Sequence, residues 1–139
     1  EAPEGFFVPK QAMHRAKLNE WCFFIMTELD ALSLYVIRRH LDLSDVYGAA
    51  PNAVEAAKAG FSELANALFK TFSSDRKHLM PQGMSVADIL LTTCTDSAMG
   101  RGITLPAFLF GYRERMINRP AYRRAFARNF PDRRSTAAR

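Results

Sequence analysis

Met84-Ser85-Val86-Ala87-Asp88-Ile89-Leu90-Leu91 writes a complete helix start in front of a nearly unbroken apolar run. The Ser85 hydroxyl can accept from the N–H of Asp88 while the Asp88 carboxylate reaches back to the N–H of Ser85, satisfying two orphan donors reciprocally. Met84 and Ile89 then stand where a hydrophobic staple would close. Such a cap is worth about 1 kcal/mol. With apolar residues following on every side, the segment predicts a buried central helix, and Ser85 and Asp88 read as structural rather than catalytic.

Outward from this centre the periodicity predicts four further helices. The first runs from about residue 10 to 41, with Pro9 suited to the opening position. Leu18, Trp21, Cys22, Ile25, Leu29, Leu32, Val36 and Leu41 form its stripe at helical spacing, while Phe23, Phe24, Met26, Leu34, Tyr35 and Ile37 fill the opposite side. A helix apolar nearly all round has more than one burial partner. Periodicity breaks over residues 43–50, and Pro51 opens a second helix to about 72 with one clean face, Val54, Ala57, Phe61, Leu64, Leu68 and Phe72. The capped helix spans about 85–99 and stops at Gly100-Arg101-Gly102, a fourth spans 105–118, and Pro120 restarts a short fifth to about 128. No period-two strand, repeat or linker interrupts this pattern, so the reading is all-α, a five-helix bundle in one domain over residues 1–139.

A chain of 139 residues can bury roughly two thirds of the surface it exposes when unfolded. Its two cysteines, Cys22 and Cys94, sit in apolar runs and read as inert buried thiols, which suits a cytoplasmic location. No run of about 20 apolar residues offers a membrane span. The chain opens with Glu1 rather than methionine, which reads as a processed product or a piece of something longer. From Arg101 onward ten arginines face only Glu114 and Asp132, a local balance of +8. A solvated last helix and a disordered end account for this better than a nucleic-acid arm, since no aromatics interleave residues 133–139. Nucleic acid is not the expected partner, and nonspecific RNA binding by the arginine tail stands as a third reading, with salt-dependent affinity lost on removing the residues after Pro131.

The three histidines, His14, His40 and His78, lack the spacing of a helical metal pair, so no metal is expected. Neither a phosphate cradle nor a nucleophile elbow is written anywhere, and no catalytic residue is assigned. What remains is one face of the first helix, where Trp21, Phe24 or Ile25, Glu28, Leu32, Tyr35 and Arg39 recur at helical spacing. Trp21, Phe24, Glu28, Tyr35 and Arg39 could line a pocket for an apolar molecule with a charged handle. Equally, Glu28 and the arginines could pair at a helix or subunit interface.

Three segments carry a resemblance: residues 21–29 (Trp-Cys-Phe-Phe-Ile-Met-Thr-Glu-Leu), residues 84–91, and residues 115–125 (Arg-Met-Ile-Asn-Arg-Pro-Ala-Tyr-Arg-Arg-Ala). Over about residues 10–130 the chain resembles the helical C-terminal domain of cytosolic glutathione S-transferases of bacterial type. The family carries Gly-Asp ahead of the capping motif, where this chain has Pro81-Gln82-Gly83-Met84. The resemblance implies a parent whose thioredoxin-like N-terminal domain, outside this sequence, binds glutathione as co-substrate and activates its thiol. The helical domain would wall the site for a small hydrophobic electrophile, bind no cofactor alone, and contribute its first two helices to a homodimer. Related helical domains also serve as protein–protein docking modules in translation factors and aminoacyl-tRNA synthetases, which is the alternative reading.

Overall fold

The computed structural model describes residues 5–71 and 76–131. Described residues form six helices and no strand. The first, α1, is one continuous rod over residues 12–42 whose winding changes along its length: α-helical over Ala12–Phe24, π-helical over Ile25–Leu34, α-helical over Tyr35–Ile37 and π-helical again over Arg38–Asp42. Then follow α2 (Ser44–Tyr47), α3 (Pro51–Thr71), α4 (Val86–Gly100), α5 (Ala107–Ile117) and α6 (Pro120–Asn129). Against the five expected, the additional helix is α2, a single turn in the stretch where periodicity fails. Phe72, assigned from its spacing to the second helix, lies outside the described residues.

The change of winding in α1 decides which residues it buries. Trp21, Ile25, Leu29, Ser33 and Ile37 are all buried and recur every fourth position. At about 3.6 residues per turn such a row drifts around the helix, whereas bonds from residue i to i+5 turn the chain more slowly and cancel the drift. The N–H of Tyr35 donates to the carbonyl of Asp30, and the N–H of Leu43 donates to that of Arg38 at 3.0 Å. Leu32, placed in the buried stripe by a uniform α-helical count, is instead 62% exposed. Leu41 is exposed as well.

The π-helical middle of α1 packs against both α3 and α4, and α5 closes on α4. Ile25, Leu29, Ile37, Phe61, Ala65, Leu91, Leu109 and Tyr112 form the centre of the core. Here α3 presents the expected face, with Val54, Ala57, Phe61 and Leu68 buried. The last helix, α6, buries no residue and leans on the bundle through half-buried Tyr122 and Phe126.

Ser85 is the N-cap of α4, and both arms of the capping box are formed. The helix is not enclosed on all sides, however. Its buried face carries Ala87, Asp88, Leu91, Thr92, Cys94, Thr95 and Ala98, while Val86 is exposed and Ile89, cast as one half of the staple, is 45% exposed. Asp88 takes the inward position itself, which swings the next residue roughly 100° around the helix toward solvent. Met84 packs toward the core and accepts a hydrogen bond on its carbonyl from the N–H of Phe7 at 2.6 Å. At the other end, Gly102 with φ of +78° lets its own N–H reach the Met99 carbonyl and that of Ile103 reach the Ala98 carbonyl, both at 3.0 Å. This pair of bonds is a Schellman stop.

Candidate functional site

The most heavily bonded side chain is Asp88. One carboxylate oxygen accepts from the Ser85 N–H at 2.8 Å and the Ser85 hydroxyl at 2.9 Å. The other accepts from the Leu79 N–H at 2.9 Å and the Tyr112 hydroxyl at 2.7 Å. His78 Nδ1 stands 3.7 Å from that second oxygen. A fully buried carboxylate is tolerated only when its lone pairs are matched by donors, and four of them meet this one. Burial and the adjacent Asp88 charge hold the Tyr112 phenol well above its ordinary range, so it stays a hydrogen-bond donor. This cluster joins three elements, α4, α5 and the 78–85 loop, and is structural.

The space suited to a ligand lies elsewhere, between the α-helical first part of α1 and the later part of α3. It is a hollow of about 190 Å³ lined by Glu20, Trp21, Phe24, Ala67 and Leu68. Trp21 and Phe24 meet edge to face, their centroids 6.4 Å apart and their planes at 86°. Lys17 Nζ sits 5.6 Å from the Trp21 ring centroid and bonds the Glu20 carboxylate at 2.8 and 2.9 Å. The result is a small, half-open recess with an aromatic wall and one ion pair at its rim.

Of the five residues picked from helical spacing, the structure brings only Trp21 and Phe24 to this recess. Glu28 is half-buried further along α1, accepts from the Thr27 hydroxyl at 3.3 Å and makes no ion pair among the described residues. Tyr35 is 45% exposed, with the Arg38 guanidinium 5.5 Å from its ring centroid. Arg39 stacks 4.5 Å from the Tyr47 ring, at the far end of α1. Tyr35 and Arg39 stand 14 and 18 residues beyond Trp21 on the same rod, too far along its axis to share one small recess, and a spacing count registers the face but not that distance. Glu20, Ala67 and Leu68 were not singled out by sequence: a solvent-facing acid and two ordinary core-type residues carry no local signal of a recess.

Cys94 is buried, whereas Cys22, expected to be buried too, is half-buried. Burial, with Asp30 adding to it, pushes the Cys94 thiol up to about 12, and burial raises Cys22 as well. Among the described residues no group of three or more His, Cys, Asp and Glu side chains is placed to hold a metal ion. The His14 ring pairs with Gln82 at 3.1 Å and the His40 ring with the Gly48 carbonyl at 2.9 Å. No helix among the described residues is long and apolar enough to cross a membrane. Among the described residues the fold is all-helical, with a small recess walled by Trp21 and Phe24. No family profile, characterised protein or solved structure matches the chain.

Proposed function

We propose that this chain is the electrophile-side and dimerisation domain of a glutathione transferase-like protein, walling a site for small apolar electrophiles. The observation that carries the reading is the recess on Trp21 and Phe24, both within the first of the three segments that resemble the family. The Ser85–Asp88 box, bonded onward to Tyr112, sits in the second segment and adds weight. In this scheme glutathione is the co-substrate, its thiolate is generated by a thioredoxin-like partner domain, and the helical domain supplies position and desolvation. No side chain at the recess can do the activating itself. Trp21 and Phe24 carry no base, Glu20 is tied to Lys17, and both thiols are held protonated.

Exposed apolar side chains along α1, α2 and the residue that joins them, among them Phe23, Leu32, Leu43 and Val46, support self-association through these helices. The same residues also favour the docking-module alternative, in which a different protein covers them.

The test uses Trp21, the only tryptophan, as its own reporter. Titrating the chain with 1-anilinonaphthalene-8-sulfonate is expected to alter Trp21 emission saturably, and an apolar aromatic electrophile is expected to compete. Incubation with glutathione and 1-chloro-2,4-dinitrobenzene is expected to give no conjugation above the uncatalysed rate. Robust turnover by this chain alone would overturn the division of roles, and an unresponsive Trp21 would remove the recess as the electrophile's place.

A further inference from the structure

We infer that the outer face of α6 is a phosphate-binding surface that takes the backbone of a nucleic acid without regard to sequence. The helix contains no acidic residue, and Arg119, Arg123, Arg124 and Arg128 are all exposed. Arg123 is bonded to the Asn118 side chain at 2.5 Å, but the side chains of Arg119, Arg124 and Arg128 have no hydrogen bond or carboxylate partner among the described residues. An ordinary solvated helix offsets its arginines with glutamates one turn away. This one leaves them uncompensated while the first hundred residues of the chain carry a net −3. Arg124 and Arg128 lie on one side of α6 about 6 Å apart along its axis. Arg119, at the N-cap, offers no side-chain cap to the first turn, so the partial positive end of the helix adds to the same field.

The rest of the helix decides what kind of anion fits. Its aromatic side is already engaged: the Tyr122 hydroxyl donates to Asp96, Tyr122 stacks on Phe126 at 6.0 Å, and both rings are half-buried. A membrane-surface helix needs that side free to enter the lipid boundary, and here Tyr122 is tied to Asp96 and Phe126 is half-buried, leaving Phe130 as the exposed ring. Beside Arg124 and Arg128 on the exposed surface stand Ala121 and Ala125, too small to form the apolar centre that a protein interface requires. Small residues flanked by guanidinium forks leave a phosphate backbone room to approach closely and suit its oxygens. Charge placement first read as a solvated face is thus given a partner by the absence of compensating acids and by the engagement of Tyr122 and Phe126.

The experiment is fluorescence anisotropy of a labelled mixed-sequence 20-nucleotide RNA with the full chain, in salt from 50 to 200 mM, against a triple variant Arg119→Gln, Arg124→Gln, Arg128→Gln. Releasing three single-strand phosphate contacts flattens the slope of log affinity against log salt by about 2, and the expected loss of affinity at 50 mM salt is at least tenfold. Circular dichroism establishes that the variant keeps its helices, and a single Arg128→Lys variant, which keeps the charge, is expected to bind within about twofold of the parent. An unchanged slope in the folded triple variant overturns the proposal. So does tighter binding to phosphatidylserine vesicles or to polyglutamate than to the RNA, since each assigns the surface to another class of partner.

Discussion

Asp88 concentrates more of the fold in one carboxylate than any other side chain described. Replacing it by alanine strands the Ser85 and Leu79 N–H groups in a dry interior, each costing roughly 1–3 kcal/mol, and removes the carboxylate that accepts from the Tyr112 hydroxyl. We expect Asp88→Ala to lower unfolding free energy in urea by at least about 3 kcal/mol, Ser85→Ala by about 1, and Tyr112→Phe by about 1–2. Equal, small losses for all three would show that the carboxylate is not the shared acceptor. A second residue-scale outcome concerns Cys94, whose thiol is raised by burial to about 12 from an ordinary value of 9.0. Between those values the folded chain keeps a proton that the unfolded chain releases, so this group's contribution to stability falls as pH rises from about 9 toward 12. A Cys94→Ala variant is therefore expected to lose less stability than the parent over that window in parallel urea titrations.

Within single elements, the contrast between α4 and α1 shows what the sequence can and cannot disclose. A capping box is a local device, formed by residues three apart, so Ser85 and Asp88 announce themselves without knowledge of the rest of the chain. The same holds for the Gly102 stop and for the single apolar face of α3. In α1 the apolar residues are too numerous to select a face, and the π-helical middle is the part that packs against both α3 and α4. That is why Leu29 and Leu32 look equivalent in sequence and part company in the structure. Tyr35 and Arg39 miss the recess because they stand 14 and 18 residues beyond Trp21 on that helix. We expect Leu29→Ala to cost about 2–5 kcal/mol and Leu32→Ala to stay within about 0.5 kcal/mol of the parent, measured by denaturant midpoint at constant slope. Comparable losses at both positions would restore a uniformly wound α1. The recess was half legible: its aromatic wall stands in one segment of α1, but Ala67 and Leu68 reach it only through the packing of α3.

For the molecule as a whole, the distribution of surface character sets the remaining expectations. Exposed apolar side chains gather on α1 and α2, whereas uncompensated positive charge gathers on α6. If α1 and α2 meet a second copy, sedimentation velocity should give a concentration-dependent shift from monomer toward dimer, weakened by Leu32→Glu or Val46→Glu, while Arg124→Gln leaves it unaffected. A monomer at all concentrations would leave those helices to another protein. The electrophile reading places the ligand at the opposite end of α1 from Tyr35 and Arg39. The most direct measurement is a ¹H–¹⁵N spectrum of the labelled chain titrated with an unreactive analogue of an aromatic electrophile. Saturable shifts centred on Trp21, Phe24, Ala67 and Leu68, including the Trp21 indole, are the expected result; shifts centred on Tyr35 to Arg39, or none at all, would contradict it.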